Sequence, residues 1–269
     1  MRDAEYETLV EVAHALADAA RTPILRHFRS EDLTADNKLA GGFDPVTIAD
    51  RESEMAMRAV LVRLRPDDGI LGEEQAATAG STGLTWVLDP IDGTRAFISG
   101  APVFGVLIAV HDGERPILGM IDQPYIGERF IGALGGPAPG ADFLRGGEGR
   151  SLSTRTRALA DATLLSTFPE VGAEKDRLGF EAVRDVAKLT RYGLDCYGYA
   201  LVAMGQADLV IEAGLHAYDI QGPMVVVQAA GGVVTNWRGG PCDQGGQVLA
   251  AGSADLHAEA LALLAPYAD

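Results

Sequence analysis

The chain has 269 residues, of which 47% are hydrophobic and 22% charged, enough for one large domain or two closely packed halves around a buried core. Its net charge of −16, with no visible cluster of lysine and arginine, argues against a protein that binds the phosphate backbone of nucleic acids. The longest apolar runs are too short to span a bilayer, residues 1–20 do not resemble a signal peptide, and two widely spaced cysteines favour a cytoplasmic protein.

The first half of the chain predicts two helices followed by a largely antiparallel sheet. Apolar residues recur at helical spacing from Tyr6 to Phe28, and residues 31–45 form a polar loop. Thr47 and Asp50 have the spacing of a capping box that opens the second helix. The runs that predict strands are 70–71, 86–88, 104–111, 117–121 and 129–134.

The second half alternates strands and helices, which predicts α/β layers. A stretch rich in glycine and proline, 135–149, is the best candidate boundary. We therefore divide the chain into an N-terminal α+β half, 1–145, and a C-terminal α/β half, 146–269, packed as one globular unit. The predicted strands are 163–166, 191–193, 209–212, 233–236 and 248–251, and the predicted helices are 175–189, 197–205, 219–230 and 256–264.

Six consecutive residues, Asp89-Pro90-Ile91-Asp92-Gly93-Thr94, carry the strongest chemical signal. Two carboxylates flank a proline that stiffens the turn, and Gly93 allows a ligand to approach the backbone closely. A helix beginning at Gly93-Thr94 would offer free N–H groups to an anion, beside oxygen ligands that suit Mg²⁺. An isolated Asp-Gly turn is usually only a helix cap. The whole string, preceded by Gly72-Glu73-Glu74, favours a metal and phosphate site.

These motifs resemble those of the inositol monophosphatase superfamily. The residues that carry the resemblance are Gly72-Glu73-Glu74, the segment 86–94, and Tyr218-Asp219-Ile220. The resemblance implies an α/β (α+β) fold, arranged as a layered αβαβα sandwich of the sugar-phosphatase type. It also implies a homodimeric, Mg²⁺-dependent phosphomonoester hydrolase, with metal-binding acids in the N-terminal half and substrate contacts in the C-terminal half.

The same resemblance implies which residues bind the metal ions. Glu73, Asp89 and the Ile91 carbonyl would hold one Mg²⁺, and Asp89, Asp92 and Asp219 a second. Glu73 would contribute to a third, weaker ion, and Mn²⁺ could replace Mg²⁺. Taken alone, Asp219 would more readily be assigned as the N-cap of its own helix.

The resemblance further implies how the phosphate is held and attacked. Thr94 and Glu73 would orient and activate the water that attacks phosphorus in line, and Asp50 would hydrogen-bond Thr94. The N–H groups of Gly93 and Thr94 would bind phosphate oxygens. Lys38 in the polar loop could also reach the phosphate, although a loop lysine is usually solvated.

Flanking segments resemble the histidinol-phosphate phosphatase branch, namely 94–100, 122–124, 127–129 and 191–197. Inositol phosphatases usually have tryptophan where this chain has Tyr218. Histidinol phosphate carries an ammonium group and an imidazole, with which Asp195 and Glu212 could pair. Asp195 could instead cap a helix. Arg191 could contact the substrate or a neighbouring subunit, and is as readily a solvated surface residue.

Three alternatives remain open at this point. One is an inositol-1-monophosphatase or a broad-specificity sugar phosphatase, and another is a 3′-phosphoadenosine nucleotidase, although nothing in the sequence indicates an adenine pocket. The third is a regulatory binding protein that kept the fold and lost turnover. The presence of every acid and threonine implied above argues against that third alternative.

Overall fold

The computed structural model describes residues 3–31, 33–37, 45–168 and 170–269, in which helices and sheets alternate in layers. The helices are α1 Asp3–His27, α2 Ile48–Leu64, α3 Thr94–Ile98, α4 Glu174–Arg184, α5 Asp195–Ala203, α6 Ala217–Ala229 and α7 Ala254–Leu264. The strands are β1 Ala35–Asn37, β2 Pro45–Thr47, β3 Gly69–Gly72, β4 Thr85–Asp92, β5 Gly105–His111, β6 Pro116–Gln123, β7 Glu128–Ala133, β8 Gly140–Arg145, β9 Glu148–Ser151, β10 Thr163–Ser166, β11 Leu189–Tyr192, β12 Leu209–His216, β13 Val233–Thr235 and β14 Gly245–Ala251.

Two large sheets define the layers. The first has seven strands in the order β3-β4-β5-β6-β7-β8-β9, and the second has five in the order β11-β10-β12-β14-β13. Helices α1 and α2 cover the outer face of the first sheet, α5 and α6 lie between the sheets, and α4 and α7 cover the outer face of the second. This arrangement confirms the αβαβα sandwich.

Helix α6 lies in the middle of the sandwich and is buried on almost every side. A helix that is apolar all round has no solvent face, and residues 220–227 of α6 are all buried. Gly119 on β6 lets it approach closely, because a Cβ on Gly119 would lie 2.3 Å from the carbonyl oxygen of Gly222. Gly222 itself lies close to the carbonyl oxygens of Met120 and Ile108, so these glycines set the position of α6 relative to β5 and β6.

Several elements differ from the sequence-based prediction. The polar loop 31–45 contains β1, which pairs with β2, and Lys38 lies outside the described residues. The predicted strand at 86–88 continues to Asp92, and its register is irregular between Asp89 and Asp92. Helix α4 ends at Arg184: residues 185–188, which were predicted to continue it, form a turn, and Leu189 begins strand β11, which pairs with β10.

The first sheet extends past the boundary predicted at 145. Strand β9 pairs with β8 in that sheet, so a division after Arg145 would separate two hydrogen-bonded strands. The chain passes to the second sheet between Ser151 and Thr163. Among the described residues, none of the helices combines the length and the apolar character needed to cross a bilayer.

Candidate active site

The ends of two neighbouring parallel strands bring the first acidic residues together. Strand β3 runs parallel to β4, and the Glu73 N–H that follows β3 donates to the Leu88 carbonyl at 3.2 Å. Asp89 lies where β4 becomes irregular, and its Oδ1 accepts from the Ile91 N–H at 3.0 Å. The carboxylate therefore fixes the turn that places Asp92 on the same side of the sheet edge.

Asp89, Asp92 and Asp219 form a cluster in which one carboxylate oxygen from each lies within 4.8 Å of the others. Asp219 comes from the first turn of α6, where its Oδ2 accepts from the His216 N–H at 2.7 Å. The N-cap of α6 is His216 and Asp219 is the N3 residue of its capping box, so the N-cap role that the sequence allowed for Asp219 was wrong. From N3 the carboxylate supports the start of α6 and faces the cluster.

Burial and mutual repulsion make these carboxylates hard to ionise without a cation. Burial, and then the charge of Glu73, raises the pKa of Asp89 well above its usual range. The pKa of Asp92 is also raised well above that range, by burial and by Asp195. Burial raises the pKa of Asp219 to about 6. Crowded oxygen ligands of this kind fit a hard divalent cation such as Mg²⁺.

Thr94 lies at the start of α3 and is positioned by two acceptors. Its hydroxyl oxygen is 3.1 Å from the Ile91 carbonyl oxygen and 3.4 Å from Oδ1 of Asp50, which matches the predicted contact with Asp50. Asp50 is itself held by the capping box, because its Oδ2 accepts from the Thr47 N–H at 2.8 Å and from the Thr47 hydroxyl. Burial raises the pKa of Asp50 to about 6.

A cavity of about 360 Å³ opens beside this cluster, between the two halves of the chain. Its walls come from the end of β4 and α3 on one side, and from the ends of β10 and β12 and the start of α5 on the other. The lining residues are Asp92, Gly93, Thr94, Arg95, Ser166, Thr167, Phe168, Val171, Gly172, Asp195, Cys196, Tyr199, Glu212, Ala213, Gly214, Leu215 and Asp219.

Glu212 lies at the inner wall of this cavity and is held by both carboxylate oxygens. Its Oε1 accepts from the N–H of Thr167 at 2.9 Å and from the Thr167 hydroxyl, and its Oε2 lies 3.4 Å from the Tyr199 hydroxyl. Burial raises the pKa of Glu212 to about 7. Thr167 and Tyr199 orient this acid and were not identified from the sequence.

Asp195 begins α5 with a left-handed backbone, φ +47°. The N-cap of α5 is Leu194, so the structure does not use Asp195 as the helix cap that the sequence allowed. Burial raises the pKa of Asp195 to about 6, against the attraction of Arg95. The next N–H, of Cys196, donates to Oδ2 of Asp92 at 2.7 Å, which ties the start of α5 to the acidic cluster.

Arg191 is the one predicted substrate contact that the structure does not bring to the cavity. It lies on β11, an edge strand of the second sheet. Arg191 is exposed, and so is Leu189 on the same face of the strand. Tyr192 points the other way, toward Phe180. The strand alternation therefore directs Arg191 to solvent, and we leave it out of the site.

Glu54 was missed by the sequence analysis although it supports the loop that carries Glu73. Its buried carboxylate accepts from Arg58 Nε at 2.7 Å, from the Glu74 N–H at 2.7 Å and from the Gln75 N–H at 3.2 Å. In the sequence, a glutamate four residues before an arginine is indistinguishable from a surface pair on a helix.

Comparison with known proteins gives one consistent result. The model of the inositol monophosphatase family matches residues 5–268. The bifunctional phosphatase IMPL2, chloroplastic, of Arabidopsis thaliana is 39% identical, over 97% of this chain and 76% of that protein. A histidinol-phosphatase of Streptomyces coelicolor is 34% identical, over 97% of this chain and 98% of that protein.

A solved structure described as an inositol monophosphatase from Zymomonas mobilis superimposes with a TM-score of 0.83 at 40% identity, covering 96% of this chain and 98% of the other. This family consists of metal-dependent phosphatases, typically with Mg²⁺, and the acidic cluster of Asp89, Asp92 and Asp219 suits that chemistry. The chain belongs to the inositol monophosphatase family and is a phosphoric monoester hydrolase.

Proposed function

We propose that the protein is a Mg²⁺-dependent histidinol-phosphate phosphatase that serves histidine biosynthesis. The observation that carries this proposal is a pair of carboxylates on the wall of the cavity beside Gly93 and Thr94, the buried Glu212 and the half-buried Asp195. A neutral alcohol offers no cation to these two acids, whereas an ammonium group and an imidazolium would pair with them.

The metal would be held by the residues that the sequence predicted. Asp89, Asp92 and Asp219 supply the clustered oxygens, Glu73 lies close enough to Asp89 to raise its pKa, and the Ile91 carbonyl would add a further oxygen. When bound, Mg²⁺ neutralises charge on the phosphoryl group and makes water a better nucleophile. The metal-binding acids would then lie mainly in residues 1–145 and the substrate contacts in residues 146–269.

The residues of the chain would position the phosphoryl group and the attacking water for in-line displacement. The N–H groups of Gly93 and Thr94 would bind phosphate oxygens. Thr94, oriented by Asp50 and the Ile91 carbonyl, would fix the water. Glu73 would take a proton as the new O–P bond forms and the bond to the alcohol breaks. The released alkoxide would take a proton from solvent. Positioning and charge neutralisation supply the catalysis in such reactions.

Two further expectations belong to this proposal. The family resemblance implies that the protein works as a homodimer, and its two widely spaced cysteines favour a place in the cytoplasm. Light scattering of the purified protein tests the first, and fractionation of the cells that express it tests the second.

An inositol-1-monophosphatase or a broad-specificity sugar phosphatase is the second candidate. The inositol monophosphatase from Zymomonas mobilis favours it, because this chain is 40% identical to that structure. Glu212 could also accept hydrogen bonds from the hydroxyl groups of a neutral polyol.

Phosphate release from four substrates tests the proposal. They are histidinol phosphate, inositol 1-phosphate, fructose 1,6-bisphosphate and 3′-phosphoadenosine 5′-phosphate, each assayed with Mg²⁺ and with a chelator. We expect the highest kcat/KM on histidinol phosphate and no release in the chelator. A higher kcat/KM on inositol 1-phosphate would favour the second candidate. Turnover that persists in the chelator would refute the metal dependence.

A further inference from the structure

Arg95 and Phe168 meet across the cavity, although they come from different halves of the chain. Arg95 lies in α3, directly after Thr94, and Phe168 follows β10. The guanidinium carbon of Arg95 lies over the Phe168 ring, 4.7 Å from its centre. Both side chains line the cavity of the proposed active site.

The backbone at Thr167 and at Phe168 itself is held by hydrogen bonds. Its neighbour Thr167 donates twice to Glu212, and the Ser166 hydroxyl donates to the Phe168 carbonyl at 3.3 Å. Phe168 nevertheless remains 41% exposed. A large aromatic side chain is thus held at a cavity with much of its apolar surface uncovered.

The guanidinium of Arg95 also interacts with a carboxylate. Asp195 attracts it electrostatically, in addition to its contact with the aromatic face of Phe168. A planar guanidinium in this position covers one face of the Phe168 ring. The rest of the Phe168 ring surface remains open to a ligand in the cavity.

We propose that Phe168, positioned by Arg95, is a specificity-determining wall on which a flat aromatic ring of the leaving alcohol lies. This inference rests on the proposed function and names its substrate class: phosphomonoesters whose alcohol carries an aromatic or heteroaromatic ring. Aromatic rings prefer offset or edge-to-face contact, which an anchored and partly exposed phenyl group offers. Asp195 and Glu212 would then pair with the cations of such an alcohol, and Phe168 would contact its flat ring.

Variants of Phe168 test the proposed wall through the ratio of the kcat/KM values of two substrates. The first pair is histidinol phosphate and 2-aminopropyl phosphate, which keeps the amine and lacks the ring. We expect F168L to lower the ratio of their kcat/KM values by about 10-fold, because it removes the aromatic contact. F168Y keeps a ring and should retain the ratio.

A matched pair elsewhere in the chain provides the control. Arg150 lies over the Phe143 ring at 5.1 Å, on the β8–β9 hairpin. F143L removes an aromatic ring beneath an arginine without touching the cavity, so the ratio should not change. A similar fall in F143L and F168L would overturn the proposal, since it would reflect a general loss of structure.

A double-variant cycle tests whether Arg95 acts through Phe168. R95Q should lower the ratio by about 3-fold, as expected for losing an exposed cation–π contact. In the double variant R95Q/F168L the ratio should fall no further than in F168L alone. If the two losses multiply, Arg95 does not position Phe168 and that part of the proposal is wrong.

A second pair of substrates separates this inference from the proposed function. Phenylethyl phosphate and ethyl phosphate differ by a ring and contain no amine or imidazole. If histidinol phosphate is a good substrate and F168L changes neither ratio, the wall is refuted and the proposed function stands. If histidinol phosphate is poor but F168L lowers the phenylethyl-to-ethyl ratio, the proposed function fails and the wall stands.

Discussion

The side chain of Asp195 lies directly against Gly93: a Cβ placed on Gly93 would be 3.0 Å from both Cβ and Cγ of Asp195. Gly93 also has a left-handed backbone, φ +83°, which other residues rarely adopt. The turn that begins α3 thus requires glycine for two independent reasons. The contact sets a proposed phosphate-binding residue beside a proposed substrate-binding one.

We expect Gly93→Ala to lower kcat/KM by about 100-fold, because a small misplacement of reacting groups has an effect of that size. The change should also lower the free energy of unfolding by about 1–2 kcal/mol through backbone strain. Steady-state kinetics and urea denaturation measure the two effects.

Gly127 provides the matched control for this substitution. It also has a left-handed backbone, φ +78°, but a Cβ there would meet no atom within 4 Å. Gly127→Ala should destabilise the protein by a similar amount and leave kcat/KM unchanged. Equal activity in the two variants would mean that the contact between Gly93 and Asp195 has no role in catalysis.

The sequence predicted the layers and the acidic cluster because both depend on local pattern. The periodicity of α1 and the capping box of α2 are readable within a few residues, and so is the string from Asp89 to Thr94. Asp219 could be added only through the family resemblance, since nothing local distinguishes it from an ordinary helix cap.

The contacts that were missed join residues far apart in the chain. Thr167 and Tyr199 orient Glu212, and Phe168 meets Arg95, yet none of these side chains carries a local signal of its role. The sequence left Arg191 open between the substrate, a neighbouring subunit and solvent, and only the alternation of β11 shows that it faces away from the cavity. These contacts depend on how the two halves of the chain pack together. Patterns within a few residues of the sequence do not show that packing.

Glu54 gives a prediction about stability. Glu54→Ala would leave the Arg58 guanidinium and two backbone N–H groups without their buried acceptor. Removing one partner of a buried ion pair typically costs about 3–5 kcal/mol. We expect a loss of that size in urea denaturation, together with a lower kcat because the loop carrying Glu73 loses its anchor.

Glu181 is the control for that loss. It pairs with Arg177 and Arg184, but its side chain is 27% exposed. Exposed ion pairs contribute about 0–1 kcal/mol, so Glu181→Ala should change stability by less than about 1 kcal/mol. Similar losses for Glu54→Ala and Glu181→Ala would show that the Glu54 network does not stabilise the loop.

The raised pKa values of Asp50 and Asp219 predict how pH affects the metal-free protein. Each rises from an ordinary 3.8 to about 6 in the folded state. The folded protein then binds protons more tightly than the unfolded chain, so this contribution to stability is complete below about pH 4 and is lost as pH rises through about 6.

Mg²⁺ should reverse this loss, because it binds the ionised carboxylates of the folded state. The increase in Tm on adding Mg²⁺ should therefore be small near pH 5 and larger near pH 8, by several degrees. Differential scanning fluorimetry across this range measures it, with Na⁺ at equal ionic strength as the control. An increase in Tm that does not change with pH would contradict the prediction.

Asp92→Asn should abolish turnover, lowering kcat by about 1,000-fold or more, because it removes a proposed metal ligand. The fold should persist, since an asparagine oxygen can still accept from the Cys196 N–H. Phosphate release with Mg²⁺ and circular dichroism measure these outcomes.

Asp112→Asn is the control, because Asp112 also accepts backbone N–H groups but lies in the turn between β5 and β6. Normal activity in Asp92→Asn would refute the metal assignment.

Asp195→Asn tests which alcohol the site prefers. Asparagine tolerates the left-handed backbone of Asp195, φ +47°, so the substitution removes the charge and keeps the shape. Hydrogen bonds to charged groups contribute about 1.5–3 kcal/mol, which predicts a 10- to 100-fold fall in kcat/KM on histidinol phosphate. Inositol 1-phosphate has no cation to lose, so its kcat/KM should fall far less. Parallel kinetics on both substrates decide the matter, and equal losses would mean that Asp195 does not recognise a cationic substrate.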